Sequence, residues 1–365
     1  MPEIRCRLLA IRAQQKARVA LSKLAQCLLK HKGTPPKDKV SATRMETVMT
    51  VHWPANLHVP EQYLTPLLNA GDTLNNLSLP APWTDQWADV WAPLAAVLAS
   101  VKERIGVPVI GIHGGQGSGK STLSGALRDM YHEVFGWNTV VLSIDDLYLT
   151  HQQRQTLAAE RHPLLATRGV PGTHDVAMGI RLIRELKALE SDEVLRIPAF
   201  DKASDDRLPE THWHSIQGPV DMILFEGWCV GCHPVDEQQL QTPFNTLEAT
   251  EDKDGAWRRA VNDQLAGPYR EWFSMIDFLL MLKVPDMRAV LNWRTQQESG
   301  NKQSAAGHGP DRSLDAAKLE RFIQHYQRLT EQALNNMPGW ADLILNQNQH
   351  HQVDSIESRD PGDFL

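Results

Sequence analysis

The stretch GGQGSGKST at residues 114–122 has the residue types and spacing of a loop that binds nucleotide phosphates. Glycines let backbone N–H groups turn toward phosphate oxygens, and a following helix offers its positive amino end to the same anion. The lysine reaches the β- and γ-phosphates, and the next serine offers a hydroxyl to Mg²⁺. We therefore predict an ATP and Mg²⁺ site formed by Gly114, Gly115, Gln116, Gly117, Ser118, Gly119, Lys120, Ser121 and Thr122.

Two adjacent carboxylates, Asp145 and Asp146, follow the apolar run TVVLSI. If this run is the strand after the phosphate loop, its carboxyl end lies at the same sheet edge as that loop. A carboxylate there accepts the proton of a substrate hydroxyl during phosphoryl transfer, and an ordinary pKa suffices. We assign this base role to Asp145. Asp146 is predicted to contact substrate or Mg²⁺, or to cap the next segment.

A third acid, Glu226, ends the apolar run VDMILFEG. Ligands of parallel sheets bind at the carboxyl ends of the strands. An acid at this position holds Mg²⁺ directly or through water. We therefore predict that Glu226 and Ser121 form the metal site.

Five short apolar runs must position these side chains, and they are VPVIGIHG, TVVLSI, VDMILFEG, DFLLMLKVP and ADLILNQN. Continuously apolar runs are typical of strands that are covered on both faces, as in parallel sheets. Helical patterns such as DVAMGIRLIRELKAL and LDAAKLERFIQHYQRLTEQAL separate them. The alternation predicts a three-layer α/β fold of the P-loop NTPase type, with a mainly parallel five-stranded sheet flanked by helices.

Charge and composition divide the 365 residues further. The formal net charge is −7, but residues 1–44 carry eleven Lys or Arg against two acids. This basic extension is interpreted as a nucleic-acid arm, an amphipathic or targeting segment, or a dispensable, disordered or helical stretch before a start at Met45. We predict a helical segment at 45–105 packed on the core, a P-loop domain at 106–348 and a C-terminal tail at 349–365.

Several functional classes are disfavoured. The acidic remainder of the chain argues against general nucleic-acid binding, and no run approaches the roughly 18 apolar residues of a membrane span. Four cysteines are too few for a disulfide scaffold, which predicts a reducing, cytoplasmic setting. CVGCH at 229–233 fits a haem-attachment pattern, but without an export signal we interpret it as a chance match. NKQS at 301–304 lacks the aspartate of a guanine-reading segment, which disfavours a GTPase.

Five segments in this order resemble D-glycerate 3-kinases of the plant type and their bacterial relatives: GGQGSGKST, SIDDLYLT, RGVPGTHD, PAFDKASDDR and ILFEGWCVG. That family belongs with phosphoribulokinase, uridine kinase and pantothenate kinase among the P-loop kinases. The resemblance spans about residues 106–348. It implies ATP-dependent phosphorylation of the 3-hydroxyl of D-glycerate, which gives 3-phosphoglycerate.

The resemblance also implies acceptor residues. In the wider group the first acid after the second strand is the base, which matches Asp145, and the segment here written RGVPGTHD lies by the acceptor pocket. Cationic side chains in DKASDDR suit an anionic acceptor. Plant members carry a tyrosine where this chain has Phe200, and their next loop is longer. The predicted substrate-binding residues are Asp146, Arg168, His174, Asp175, Lys202 and Arg207.

DMRAVLNWRTQQE, after the fourth apolar run, is predicted to be a lid helix. In small-molecule kinases an arginine on such a helix stabilises charge on the transferred phosphoryl group. Arg294 is assigned this role from its setting in the resembling family, and it joins Lys120 and Asp145 as a catalytic residue. Asn346 and Asn348, after the last run, are weaker candidates for an adenine pocket.

Three functions remain open at this point. The leading one is an ATP-dependent kinase whose small-molecule acceptor is D-glycerate. The second is a kinase of another small hydroxyl metabolite, such as pantothenate, a nucleoside or a sugar phosphate. The third is a non-catalytic regulator that binds nucleotide, which would not need a base at Asp145. The oligomeric state is left open.

Overall fold

The structure is a computed structural model, and it describes residues 51–70, 79–305 and 316–359. The predicted basic extension, residues 1–44, lies outside the described residues. The strands of the described part are β1 Val109–Gly114, β2 Thr139–Ser143, β3 Val194–Ile197, β4 Phe200–Asp201, β5 Asp206–Arg207, β6 His214–Gln217, β7 Met222–Gly227, β8 Phe278–Lys283, β9 Leu343–Gln347 and β10 Val353–Ser358. Its helices are α1 Glu61–Asn69, α2 Ala81–Asp85, α3 Ala92–Ile105, α4 Lys120–Phe135, α5 His151–Glu160, α6 Val176–Ala188, α7 Glu237–Leu240, α8 Thr246–Glu251, α9 Ala256–Ala266, α10 Pro268–Phe273, α11 Met287–Ala305 and α12 Ala316–Asn336.

Six strands of the described chain form the main sheet, in the order β10-β9-β8-β1-β7-β2. The five strands predicted from the apolar runs are all present, and each neighbouring pair among them is parallel. The predicted α/β fold with a mainly parallel sheet is therefore confirmed. The sixth strand, β10, runs antiparallel to β9 and comes from residues assigned above to a C-terminal tail.

The register of the parallel strands brings the predicted functional residues to one edge. Ile112 of β1 and Ser143 of β2 are both paired with Glu226, from the two sides of β7. Parallel strands point their carboxyl ends the same way. The phosphate loop after β1, Asp145 after β2 and Glu226 near the end of β7 therefore lie side by side.

Helices cover both faces of this sheet. On one face α1, α3 and α4 pack together, and the hydroxyl of Tyr131 donates to the Ala95 carbonyl at 2.8 Å. On the other face α6, α9, α10 and α12 bury a second cluster that includes Tyr269 and Trp272. Both faces of β1 are buried, which explains its continuously apolar sequence. Among the described helices, none combines the length and the apolarity that crossing a membrane requires.

The helical segment before β1 adds to the edge of the sheet. Residues Trp87–Trp91 form a π-helical turn that leads into α3, and Trp83 stacks on Trp91 with ring centroids 4.0 Å apart. The Gln86 amide accepts from the Val353 N–H and donates to the Val353 carbonyl, both at 2.8 Å. Since an open edge leaves backbone groups unpaired, this side chain satisfies two of them on β10.

The stretch TLEATEDKDGAW, which reads as a polar insertion, folds into α8 and the start of α9. Two of its acids are internal and paired: Asp252 pairs with Arg258 at 2.9 Å, and Glu248 pairs with Arg328 of α12 at 2.6 Å. Asp252 and Glu248 are fully buried. Buried charges are tolerated when they are paired and hydrogen-bonded, so the polar composition of this segment does not place it outside the core.

Candidate active site

The phosphate loop packs between two tryptophan side chains, Trp293 and Trp83. Gly117 and Gly119 have φ angles of 81° and 89°, in the left-handed region that favours glycine. A Cβ atom at Gly117 would lie 2.7 Å from Cβ of Trp293, and one at Gly119 would lie 2.9 Å from Cζ2 of Trp83. The loop requires these glycines both for its backbone turn and for its packing against α2 and α11.

Glu226 and two hydroxyls form a compact polar cluster beside the loop. Ser121 and Ser143 both donate to Glu226 Oε1, at 3.0 Å and 2.7 Å, and Glu226 is buried. A hydroxyl and a carboxylate are oxygen ligands of the kind that Mg²⁺ accepts alongside substrate phosphates and waters. The predicted metal residues, Ser121 and Glu226, therefore fit Mg²⁺. In the described part of the chain no group of three or more His, Cys, Asp or Glu side chains could hold a metal on its own.

Lys120 begins α4 and points back across the loop. Its ammonium group donates to the Gly115 carbonyl at 3.3 Å. Burial lowers the pKa of Lys120, while the negative charges of Glu226 and Asp145 act against that shift. Lys120 thus lies within electrostatic reach of both the metal residues and the predicted base.

Asp145 lies in a short 3₁₀ turn, Ile144–Leu147, directly after β2. Both of its carboxylate oxygens accept a hydrogen bond: Oδ1 from the Tyr148 hydroxyl at 2.8 Å, and Oδ2 from the Lys202 ammonium group at 2.7 Å. The Asp145 side chain is 33% exposed, so a substrate hydroxyl can reach it.

The two adjacent acids have opposite environments. Burial would raise the pKa of Asp145, but the charge and hydrogen bond of Lys202 and the hydrogen bond of Tyr148 outweigh it and lower the pKa to about 2. Burial raises the pKa of Asp146, which faces away and accepts the backbone N–H of Phe200 at 3.1 Å. Asp145 is therefore held in its ionised form, and of the two acids it is the one that lines the cavity at this edge of the sheet.

Tyr148 is locked in place by aromatic neighbours. Its ring stacks on His174, with centroids 4.5 Å apart, and meets the edge of Phe200 at 5.3 Å. His174 Nδ1 lies 2.6 Å from the Tyr269 hydroxyl oxygen, and burial lowers the pKa of His174 to about 3. A neutral, buried imidazole thus supports the tyrosine that holds Asp145.

The hairpin formed by β4 and β5, residues 200–207, carries Lys202 and is anchored by two arginines. Arg154 is fully buried and donates to the Leu149, Ala166 and Asp205 carbonyls. It also pairs with the Asp205 carboxylate at 3.0 Å, and Arg168 pairs with the same carboxylate. Arg154 had no signal in the sequence, because nothing in HQQRQTLAAE distinguishes it from an exposed helix residue.

The structure brings only part of the predicted acceptor set to the cavity. Asp146 supports the hairpin backbone, and Asp175 caps α6 by accepting from the Met178 N–H at 3.1 Å. Arg207 pairs with Asp175 and donates to the Tyr148 carbonyl at 2.8 Å. Seen from the cavity, Asp146, Asp175, Arg207 and His174 lie behind Tyr148. They position the wall of the cavity and are not part of its lining.

A cavity of about 140 Å³ joins the remaining residues. Arg294 of the predicted lid helix enters it with its guanidinium 5.7 Å from the Phe322 ring. The sequence analysis missed four aromatic residues of the lining, although Tyr148 was signalled by its position three residues after Asp145, the predicted base. The lining is formed by Gln116, Gly117, Lys120, Ser121, Asp145, Tyr148, Arg168, Lys202, Glu226, Gly227, Trp228, Arg294, Phe322 and Tyr326.

The cavity has two ends. The phosphate end is formed by residues 114–122 with Ser143 and Glu226. The acceptor end is formed by Asp145, Tyr148, Arg168 and Lys202. They meet where the carboxyl ends of β1, β2 and β7 converge, so a hydroxyl at Asp145 would lie next to a phosphate on the loop.

Two weaker sequence signals lie elsewhere. Asn346 donates to Ser355 and Glu357 on β10, and Asn348 organises the turn before that strand. Neither lines the cavity. Cys229 and Cys232 are buried thiols, and His233 stacks on Trp340 with centroids 4.2 Å apart. The two cysteines of CVGCH are thus part of the packing, while His233 lies at the surface.

The chain is similar to several known kinases. No family model matches the chain. An uncharacterized kinase of Schizosaccharomyces pombe is 32% identical over 264 residues, which cover 67% of this chain and 90% of that protein. The chloroplastic D-glycerate 3-kinase of Arabidopsis thaliana is 27% identical over 241 residues, 64% of this chain and 50% of the plant enzyme. The solved structure of D-glycerate 3-kinase from Cryptococcus neoformans var. grubii has a TM-score of 0.62 at 24% identity, covering 74% of this chain and 99% of that one.

The phosphate loop, the polar cluster of Glu226, Ser121 and Ser143, and these similarities all indicate a kinase that uses a nucleoside triphosphate. The sequence similarity to the Schizosaccharomyces pombe kinase shows the family of this chain, and the similarity to the Cryptococcus structure shows its fold. This chain belongs to the group of P-loop kinases that includes D-glycerate 3-kinase, and it is an ATP-dependent small-molecule kinase.

Proposed function

We propose that the protein transfers the γ-phosphoryl group of ATP to the 3-hydroxyl of D-glycerate and releases 3-phosphoglycerate. The observation that carries this proposal is the composition of the acceptor end. An accessible ionised carboxylate, Asp145, lies beside two cationic side chains, Arg168 and Lys202, at the mouth of a phosphate loop. Such a site suits an acceptor with one hydroxyl to deprotonate and one anionic group to bind.

The size of the cavity supports a small acceptor. Its volume of about 140 Å³ is well below the roughly 300–1,000 Å³ of pockets that enclose drug-sized ligands. A three-carbon acid requires less room than pantothenate, a nucleoside or a sugar phosphate. The similarity to the plant D-glycerate 3-kinase supports the same acceptor.

The proposed reaction is an in-line transfer. The 3-hydroxyl oxygen attacks the γ-phosphorus while its proton passes to Asp145. The bond from the γ-phosphorus to the bridging oxygen breaks, and ADP leaves with that electron pair. Lys120 and Arg294 would stabilise the negative charge of the transferred group. Mg²⁺, held by Ser121 and Glu226, would add positive charge at the β- and γ-phosphates.

An acceptor panel tests this proposal. The purified full chain is incubated with Mg²⁺ and ATP and with D-glycerate, pantothenate, uridine or ribulose 5-phosphate, and ADP release and product mass are followed. We expect selective turnover of D-glycerate to 3-phosphoglycerate, and loss of turnover on removal of Mg²⁺ with EDTA. Turnover of another acceptor alone would reject D-glycerate. ATP binding without turnover of any acceptor would favour the alternative of a non-catalytic regulator that binds nucleotide.

We also propose that the enzyme works in the cytoplasm. Cys229 and Cys232 are three residues apart and remain free thiols in the packed interior, which suits a reducing compartment. Cell fractionation with an antibody against the chain tests this location, and recovery in an exported fraction would contradict it.

A further inference from the structure

The base at the acceptor end is held by two partners that differ in mobility. The Tyr148 side chain is 3% exposed and stacked on His174, so its hydroxyl is fixed against Asp145 Oδ1. The Lys202 side chain is 62% exposed on the 200–207 hairpin, and its ion pair with Asp145 crosses 2.7 Å. Exposed ion pairs contribute only about 0–1 kcal/mol. Lys202 is therefore the partner that a ligand can draw away.

The other cations around the cavity have partners of their own. Arg168 pairs with Asp205, and so does Arg154 from the interior. Lys120 donates to the phosphate loop at Gly115. Of the two cations at the acceptor end, Arg168 pairs with Asp205, and Lys202 pairs with the proposed base, Asp145, within the described part of the chain. Binding an anion at Lys202 therefore changes the electrostatic environment of Asp145 directly.

The charges around Asp145 determine the direction of that change. Lys202 faces it from the hairpin and Lys120 from α4, while Tyr148 donates to it from the position just after the 3₁₀ turn and Asp146 lies behind it. With Lys202 in place, the ionised carboxylate is stabilised and accepts a proton less readily. A ligand carboxylate on Lys202 would neutralise that cation and bring a like charge near Asp145. Both effects increase the basicity of Asp145.

We propose that Lys202 determines acceptor specificity through the base: a short hydroxy acid engages the Lys202 ammonium group with its carboxylate and thereby relieves Asp145 to accept the hydroxyl proton. A neutral polyol leaves the Lys202–Asp145 pair closed. This inference rests on the proposed base role of Asp145 and deepens the proposed function, because it makes the carboxylate a requirement for turnover as well as for binding. The proton moves from the acceptor hydroxyl to Asp145 as the new O–P bond forms and ADP leaves.

Kinetics with matched acceptors test the proposal. D-glycerate and glycerol share a three-carbon skeleton and differ in the carboxylate. The enzyme, Lys202→Met and Lys202→Arg are compared, with Lys187→Met as a control, since Lys187 pairs with Asp277 at 3.0 Å and does not line the cavity. Because Lys202→Met removes the cation that restrains Asp145, we expect it to raise kcat with glycerol about 10- to 100-fold. It should raise the KM for D-glycerate, whose carboxylate loses its partner, and leave kcat with D-glycerate nearly unchanged. Lys202→Arg should keep the preference for D-glycerate, and Lys187→Met should change neither acceptor.

Two kinetic outcomes would overturn the proposal. If Lys202→Met raises the KM for D-glycerate and leaves kcat with glycerol unchanged, the lysine is a simple anchor for the carboxylate. If it lowers turnover of both acceptors by the same factor, Lys202 supports the hairpin and does not discriminate between acceptors.

A titration without turnover separates this proposal from the choice of D-glycerate. The carboxyl carbon of Asp145 is followed by ¹³C NMR in the enzyme without nucleotide, and its signal is identified with Asp145→Asn. We expect the pKa to rise from about 2 toward the ordinary aspartate value of about 3.9 in Lys202→Met. D-lactate has the carboxylate but lacks the 3-hydroxyl, and it should raise the pKa in the enzyme and not in Lys202→Met. A pKa that neither change moves would refute the inference, whichever acceptor the panel identifies.

Discussion

The phosphate end and the acceptor end of the cavity are assembled in different ways. The phosphate end consists mostly of consecutive residues, 114–122, and strand register delivers Glu226 to it. The acceptor end consists of side chains from separate segments, held by ion pairs such as Lys202–Asp145 and Arg168–Asp205. The comparison indicates that phosphate binding is a property of the backbone, while acceptor choice depends on a few side-chain pairs that can change without altering the fold.

The largest expected effect tests whether the two ends act separately. Asp145→Asn removes the proposed base, so we expect turnover to fall by about 10²- to 10⁴-fold. Nucleotide affinity, measured by calorimetry, should stay within about twofold because the phosphate end is untouched. Asp146→Asn is the matched control, since its amide oxygen can still accept from Phe200. Equal losses in both variants would show that the pair is structural.

A smaller effect is expected when the phosphate end alone is disturbed. Gly117→Ala adds a Cβ that would lie 2.7 Å from Cβ of Trp293, at a φ of 81°. Strain of about 1–3 kcal/mol would weaken nucleotide binding roughly 10- to 100-fold. Acceptor KM should hardly change. Gly125→Ala is the control, since a Cβ there meets nothing within 4 Å. Unchanged nucleotide affinity in Gly117→Ala would contradict the packing described here.

The reverse experiment disturbs the acceptor end. Asp205→Asn weakens the pairs with Arg154 and Arg168 and leaves the positive φ of 59° acceptable, because asparagine tolerates this region. We expect the hairpin to lose its anchor and the acceptor KM to rise about tenfold, which corresponds to roughly 1.4 kcal/mol. The KM for ATP should not change, and Asp192→Asn, at an exposed position, serves as the control. A parallel rise in both KM values would show that the ends are coupled.

The smallest effect concerns stability at acid pH, where the two ends should behave alike. His113 beside the phosphate loop and His174 behind Tyr148 both have pKa values lowered to about 3, chiefly by burial. Histidines in the unfolded chain titrate near pH 6.5, so the unfolded state binds more protons between about pH 3 and 6.5. The free energy of unfolding should therefore fall as the pH decreases through this window.

Urea denaturation at a series of pH values measures this slope. His113→Asn and His174→Asn should each reduce it by about one proton, or about 1.4 kcal/mol per pH unit. Asparagine offers an atom near the position of Nδ1, which in His113 lies 3.1 Å from the Val230 carbonyl oxygen. The exposed His212→Asn is the control. A slope that stays the same in both variants would contradict the assigned burial.

Much of the fold could be predicted because buried parallel strands have a distinctive sequence. VIGIHG and MILFEG are buried along their whole length, so no alternation interrupts their apolar runs. The edge strand β10 was missed because only Val353 and Ile356 are buried in it. An irregularity between Val353 and Ser355 also breaks the two-residue period expected of a half-buried strand.

By itself, the sequence determined the phosphate loop, the parallel sheet and the edge at which Asp145 and Glu226 meet. These features follow from local spacing and from strand direction, which a run of residues encodes directly. Only the tertiary structure decided that Lys202 lies against Asp145 while His174 and Arg207 lie behind Tyr148. Ion pairs and aromatic stacks form between residues that are distant in sequence. Which partners meet therefore depends on how the loops pack, and no spacing rule contains that information.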